Sequence, residues 1–206
     1  MVKSSINVAR PFGPAIGFAN IPNDLIEKIN SFIDVATITD YANELNHGSN
    51  LAGQVTQEIK LPSEIINDGL VNFFGALTKG YIKSILNKEI SKFELLSTWV
   101  VRQFENEYNP PHLHKGHISG LGYLKLPQSF GNTIQRLKKN NTHGEINFMH
   151  GSEQFLSTGI KTEKPKVGDF YVFPSYLYHF VNPFYGDGER RSISFNAVVD
   201  ESIAKI

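Results

Sequence analysis

Residues 167–179 read Val167-Gly168-Asp169-Phe170-Tyr171-Val172-Phe173-Pro174-Ser175-Tyr176-Leu177-Tyr178-His179. A glycine turn leads into a β-rich run at 169–173, a proline turn follows, and a histidine closes the stretch. Eleven residues after His179 comes a second run, Arg190-Arg191-Ser192-Ile193-Ser194-Phe195-Asn196. Alternation along a strand puts Arg190, Ser192, Ser194 and Asn196 on one face, and Arg191, Ile193 and Phe195 on the other. An arginine and a serine two apart on one face suit a carboxylate. The guanidinium offers two parallel donors and the hydroxyl a third. The same residues also suit a half-exposed strand with a solvated polar face.

Working outward, strand-like segments recur at 95–104, around Trp99-Val100-Val101, and at 119–126, 145–149, 155–157 and 190–199. A polar Lys/Asn stretch separates two of them at 136–142. Short strands at this spacing predict a sandwich, barrel or jelly roll. The first 92 residues have a different period. Pro22-Asn23-Asp24 opens a helix, with Asn23 or Asp24 as its cap and Leu25, Ile26, Ile29, Phe32 and Ile33 on one face. Pro62-Ser63 opens another, carried by Ile66, Leu70, Phe73, Phe74, Leu77, Tyr81 and Ile85. Gly69, Gly75 and Gly80 each cost that helix about 1 kcal/mol relative to alanine, unless their small size serves close packing on a sheet. Short strands are expected at 15–19 and 55–61, with a polar loop at 46–53. The expectation is one domain, 1–206, mainly β with covering helices. Residues 1–92 form a mostly helical support layer on a core at 93–200.

The chain has 206 residues, with twenty Lys+Arg against twenty Asp+Glu. Zero net charge removes the attraction that dominates nucleic-acid binding, so no nucleic-acid partner is expected. There is no cysteine. That excludes disulfides, Cys-type zinc sites, iron–sulfur clusters and a cysteine nucleophile. No signal-like run opens the chain at 1–11, and nothing approaches the roughly eighteen apolar residues of a membrane helix. The expectation is a soluble, cytoplasmic protein with no membrane partner.

Metal chemistry must therefore rest on nitrogen and oxygen donors, and five of the seven histidines lie between 112 and 150. The local string is Asn109-Pro110-Pro111-His112-Leu113-His114-Lys115-Gly116-His117. Residues i and i+2 of an extended segment share a side, so His112 and His114 can present two imidazoles to one ion. Pro110 and Pro111 stiffen the entry. An H-x-H pair alone describes a surface turn equally well.

Three blocks, N-P-P-H-L-H-K-G-H-I-S-G-L-G-Y-L at 109–124, G-D-F-Y-V-F-P-S-Y-L-Y-H at 168–179 and R-R-S-I-S-F-N at 190–196, occur in this order and spacing. Together they resemble the iron(II)- and 2-oxoglutarate-dependent oxygenases, in particular a small family of marine bacteria and phages. The resemblance implies a double-stranded β-helix, a jelly-roll or cupin-like barrel. It implies Fe(II) held by His112, His114 and His179, with no catalytic residue beyond these ligands. It implies 2-oxoglutarate as cosubstrate, its far carboxylate bound by Arg190, Ser192 and Tyr123, and O2 as oxidant. The implied reaction hydroxylates a C–H bond of a small-molecule or peptidyl substrate and releases succinate and CO2. The chain departs from the family pattern at His114, where a carboxylate is the norm. His117 or a remote acid such as Glu145 are alternatives for that ligand, and Arg191 competes with Arg190. A cupin-like metalloprotein that never uses 2-oxoglutarate has the same barrel and histidines, and a non-catalytic module keeps the fold alone. Monomer and homodimer stay open.

Overall fold

The computed structural model describes residues 5–9, 13–135 and 137–204. Lys3 and Arg10 in the N-terminal segment, and Arg136 at the head of the polar stretch, lie outside the described residues. The strands are β1 (Asn7–Ala9), β2 (Ile16–Asn20), β3 (Gln57–Lys60), β4 (Phe93–Gln103), β5 (Asn109–His112), β6 (Ile118–Lys125), β7 (Ile146–Met149), β8 (Ile160–Glu163), β9 (Asp169–Pro174), β10 (Tyr178–Val181) and β11 (Arg190–Val199). They form two antiparallel sheets. The larger has the order β1-β2-β9-β6-β11-β4-β3, the smaller β5-β10-β7-β8. Among the described residues no ladder joins the two, so the expected barrel is two separate sheets rather than one closed cylinder.

The α-helices are α1 (Asn23–Ile38), α2 (Tyr41–Glu44), α3 (Ser63–Ile65), α4 (Val71–Leu86) and α5 (Glu201–Ala204), with a short 3-10 helix at Gly48–Asn50 and a π-helical segment at Ile66–Leu70. Helix α1 starts with Pro22 in the cap position, and Asn23 and Asp24 fall inside its first turn instead of capping it. The Pro22 carbonyl accepts from the Leu25 and Ile26 amides, which partly replaces the side-chain cap. The helix read from Pro62 is broken. Asp68 and Gly69 leave helical geometry, with Gly69 at φ 103°, between α3 and α4. A side chain at that angle is strained, so the glycine permits the break. The segment at 155–157 is a tight turn with one Gln154–Ser157 bridge, and the strand lies later, at β8. Phe155 and Leu156 stand exposed there, so their hydrophobicity marks no buried strand face.

Period-two alternation decides which core each strand residue enters. Phe170 and Val172 of β9 and Ile193 and Phe195 of β11 face α1 and α4. Tyr171 and Phe173 point the other way, between the sheets, beside Phe148, Leu121 and Tyr123. Phe74 of α4 stacks on Phe195 at 4.4 Å between ring centroids. Burying such a ring is worth about 2–3 kcal/mol, so this contact anchors the helical layer on the sheet.

Arg191 lies on the helix face of β11 and is 0% exposed. It bonds Glu189 through two nitrogens at 2.6 and 3.0 Å, Asp34 of α1 at 2.6 Å, and Asn30. Arg102 of β4 also pairs with Glu189, at 2.7 Å. Burial alone would raise the Glu189 pKa, but the two guanidiniums win and hold it at about 2. A carboxyl with a depressed folded pKa stabilises the fold above its unfolded value, and that stabilisation is lost as pH falls through the folded one. Glu189→Gln is expected to cost about 3–5 kcal/mol at neutral pH, because it strands a buried guanidinium. Chemical denaturation at pH 7 and at acid pH checks this. The difference from wild type should shrink between about pH 4.5 and 2.

Candidate metal centre

The smaller sheet brings the histidines together. His112 of β5 and His179 of β10 are directly opposed in the strand register. His114, two residues past His112, is fixed by its backbone N–H to the Ser175 carbonyl at 2.9 Å. The three rings offer donor atoms that all lie within 4.8 Å of one another, the only such cluster among the described residues. His112 Nδ1 donates to the Pro110 carbonyl at 2.7 Å and His179 Nδ1 to the Leu177 carbonyl at 2.9 Å. A carbonyl only accepts, so both Nδ1 atoms carry the proton and both Nε2 atoms keep a free lone pair. His114 Nε2 stands 3.2 Å from His179 Nε2. Two ligands at right angles, about 2.1 Å from one ion, would be about 3.0 Å apart. The spacing fits a shared cation.

Burial lowers the pKa of His112, of His114 to about 3, and of His179 well below its usual value. The repulsion each would feel from a charged neighbour adds to this for His114 and His179. The rings are therefore neutral, as metal ligation requires. Phe173 packs on His179 at 4.9 Å and Trp99 on His114 at 5.6 Å between centroids, which limits ring rotation. An all-imidazole set suits iron, copper, nickel or zinc.

The cluster opens on a cavity of about 200 Å³ between the sheets. Arg190, Ser192 and Ser194 of β11 line its far wall, as alternation predicts. Arg190 is 1% exposed and has no acidic partner among the described residues. Its Nη1 donates to Gln103 at 3.1 Å and its Nη2 to the Tyr123 hydroxyl at 3.2 Å, while Nε has no partner among the described residues. The contrast with Arg191, saturated by two carboxylates, separates the neighbours. A buried guanidinium left with neutral partners is costly unless an anion joins it. Tyr123 itself is absent from the cavity wall. It sits behind Arg190, whose charge lies 4.8 Å from its ring centre.

The other candidates lie elsewhere. His117 accepts from the Val199 amide at 3.1 Å, and His143 bonds the Phe130 carbonyl at 3.1 Å. Glu145 is buried at the head of β7 but does not line the cavity. The carboxyl that does is Glu58 of β3. Sequence reasoning missed it: Glu58 alternates with Thr56 and Lys60 on the polar side of the 55–61 strand, and no local signal separates a polar face that lines a cavity from one that meets solvent.

Residues 97–196 match the family model described as "Putative 2OG-Fe(II) oxygenase". No curated protein sequence matches the chain. Among solved structures, a Pseudomonas putida prolyl-4-hydroxylase is 16% identical with a TM-score of 0.58, covering 88% of this chain and 91% of that one. The viral collagen prolyl hydroxylase of Paramecium Bursaria Chlorella virus-1, solved as a 2OG complex, is 17% identical with a TM-score of 0.53, covering 87% and 94%. A Trichoplax adhaerens prolyl hydroxylase in complex with a hypoxia inducible factor peptide fragment is 13% identical with a TM-score of 0.56, covering 91% and 85%. At these identities the likeness is one of fold, the double-stranded β-helix.

Proposed function

We propose that this chain, a member of the 2OG-Fe(II) oxygenase superfamily, is an iron(II)- and 2-oxoglutarate-dependent dioxygenase that hydroxylates a C–H bond. The observation that carries the reading is the buried, uncompensated Arg190 guanidinium facing a cavity closed by three neutral histidines. His112, His114 and His179 hold the metal. Arg190 and Ser192 receive the far carboxylate of the keto acid. The orphaned Nε of Arg190 and the Ser192 hydroxyl supply donors to it, and the guanidinium selects a second negative charge over a monoacid. Tyr123 acts as a positioning residue. Its hydroxyl accepts from Arg190, and burial raises its pKa, so it stays protonated with its own hydrogen free to donate. When bound, iron(II) with the keto acid and O2 supplies the oxidising power, with succinate and CO2 as co-products. The protein excludes bulk water with Phe148 and Phe173 and fixes the imidazoles through Pro110 and Leu177. The similar structures are prolyl hydroxylases, one in complex with a peptide fragment, which supports a peptidyl or small-molecule substrate.

The test is an anaerobic iron(II) titration followed by a succinate assay with and without 2-oxoglutarate. One tightly bound iron per chain and 2-oxoglutarate-dependent succinate are expected. Iron binding without succinate would instead favour a cupin-like metalloprotein. Tyr123→Phe removes one buried hydrogen bond worth about 1 kcal/mol. It is expected to raise the KM for 2-oxoglutarate roughly fivefold with little change in kcat. Steady-state kinetics at saturating substrate checks that split.

A further inference from the structure

Glu58 is a buried acid that the reading above does not use. It is 3% exposed, on the cavity face of β3. The strand register places it opposite Val101 of β4, which is in turn opposite Ser192 of β11. Two strand spacings put it about 10 Å from Ser192, across the cavity floor. Its Oε2 has no hydrogen-bond partner among the described residues. No cation forms an ion pair with it among the described residues, whereas the buried Glu189, just before β11, is paired with two arginines and with Lys125. Glu58 also lies outside the cluster of metal-ligating atoms, so it does not replace the missing carboxylate of that set.

The chain makes room for this group. A Cβ on Gly53 would stand 2.6 Å from Glu58 Oε1 and 2.7 Å from Asn109 Oδ1. Any larger residue at 53 would displace both acceptors. Gln54 and Tyr108 exchange backbone hydrogen bonds beside them, at 2.9 and 3.3 Å, and so tie the 51–54 loop to the start of β5. The result is an oxygen-lined end of the cavity, opposite the Arg190 end in both position and charge.

We propose that the Glu58 carboxyl docks a positively charged nitrogen of the substrate, a primary amine or a guanidine. The inference rests on the oxygenase reading for the chemistry, and on the cavity alone for the binding. An ionised carboxylate is acceptor-only, and a buried one without a counter-charge is costly. A cationic ligand supplies the missing donor and the missing charge together. Burial pushes the Glu58 pKa up to about 7, which reflects the cost of the carboxylate form without a counter-charge. Arg190, Glu58 and the three histidines line one cavity, so a cosubstrate held at Arg190 and a substrate nitrogen held at Glu58 share it with the metal ligands.

The experiment uses the full chain with manganese(II) and 2-oxoglutarate, read by thermal shift and calorimetry, and with iron(II), read by succinate release. The probes are L-lysine, L-arginine and blocked peptides containing each, against the neutral isosteres norleucine and citrulline and their peptides. The cationic probes are expected to bind at least tenfold more tightly than the neutral ones and to stimulate succinate release. Free amino acids or peptides responding preferentially identifies the source of the nitrogen. Glu58→Gln is expected to erase the preference, and Glu58→Asp to retain part of it. Equal binding of neutral and cationic probes by wild type overturns the proposal, whatever the variants do, and so does a preference that survives in Glu58→Gln. If cationic probes bind through Glu58 but no succinate forms, the docking role stands and the oxygenase reading fails.

Discussion

Replacing Arg190 with methionine is expected to abolish 2-oxoglutarate-dependent succinate formation while leaving metal binding and the fold in place. Removing one partner of a buried charge pair costs about 2–5 kcal/mol, a loss of roughly 30- to 5,000-fold in cosubstrate affinity. The effect on the ligand-free protein is the informative part. Arg190 has two neutral partners and an unsatisfied Nε. Losing the bonds to Gln103 and Tyr123 is offset by removing an uncompensated buried charge. Its stability should therefore stay within about 1–2 kcal/mol of wild type. Arg191→Met is the matched control. It leaves Glu189 with Arg102 and the more distant Lys125 and leaves Asp34 without its partner, at a cost of about 3–5 kcal/mol. For a chain of this size that lowers Tm by roughly 2–4 °C per kcal/mol. Denaturation and calorimetric titration of both variants separate the two arginines. Full succinate formation in Arg190→Met would remove the cosubstrate assignment.

His179→Ala is expected to eliminate metal binding. His179 is 3% exposed and faces both His112 and His114, so its loss leaves two ligands and a gap in the middle of the cluster. A metal present at a hundred times its Kd stabilises the fold by about 2.7 kcal/mol. That corresponds to a rise in Tm of about 5–10 °C. The rise should vanish in His179→Ala and persist in His117→Ala, whose ring serves the Val199 amide outside the cluster. A thermal shift with iron(II) under anaerobic conditions, or with manganese(II) in air, reads both. Loss of the shift in His117→Ala, with retention in His179→Ala, would mean the ion sits elsewhere.

Much of the site is legible in the local pattern. The i, i+2 spacing of His112 and His114 survives folding because β5 is extended through His112 and the Ser175 contact holds His114 on the same side. Alternation also put Arg190 and Ser192 on one face and Arg191 on the other, and β11 keeps that order. Where periodicity misled, a backbone feature intervened. Gly69 breaks a helix whose apolar spacing runs through it. Phe155 and Leu156 are apolar but sit exposed in a turn. The cap of helix α1 falls one residue before its polar candidates, at Pro22.

What the residue order determines by itself is the donor chemistry and the face of each strand. Without cysteine, only imidazoles and carboxylates remain as strong ligands, and period-two alternation assigns each one a side. Which sides are covered is a tertiary matter. His112 meets His179 because β5 and β10 pair across 67 residues of chain. Arg191 is neutralised because α1 brings Asp34 over its face, and Arg190 is left uncompensated because no acid among the described residues pairs with it. Glu58 belongs to a face that alternation marks as polar. The smaller sheet and the 51–54 loop turn that face into a cavity wall. Alternation is set by the geometry of a single strand, whereas burial, and with it the cost of a charge, is set by whatever folds back over the strand.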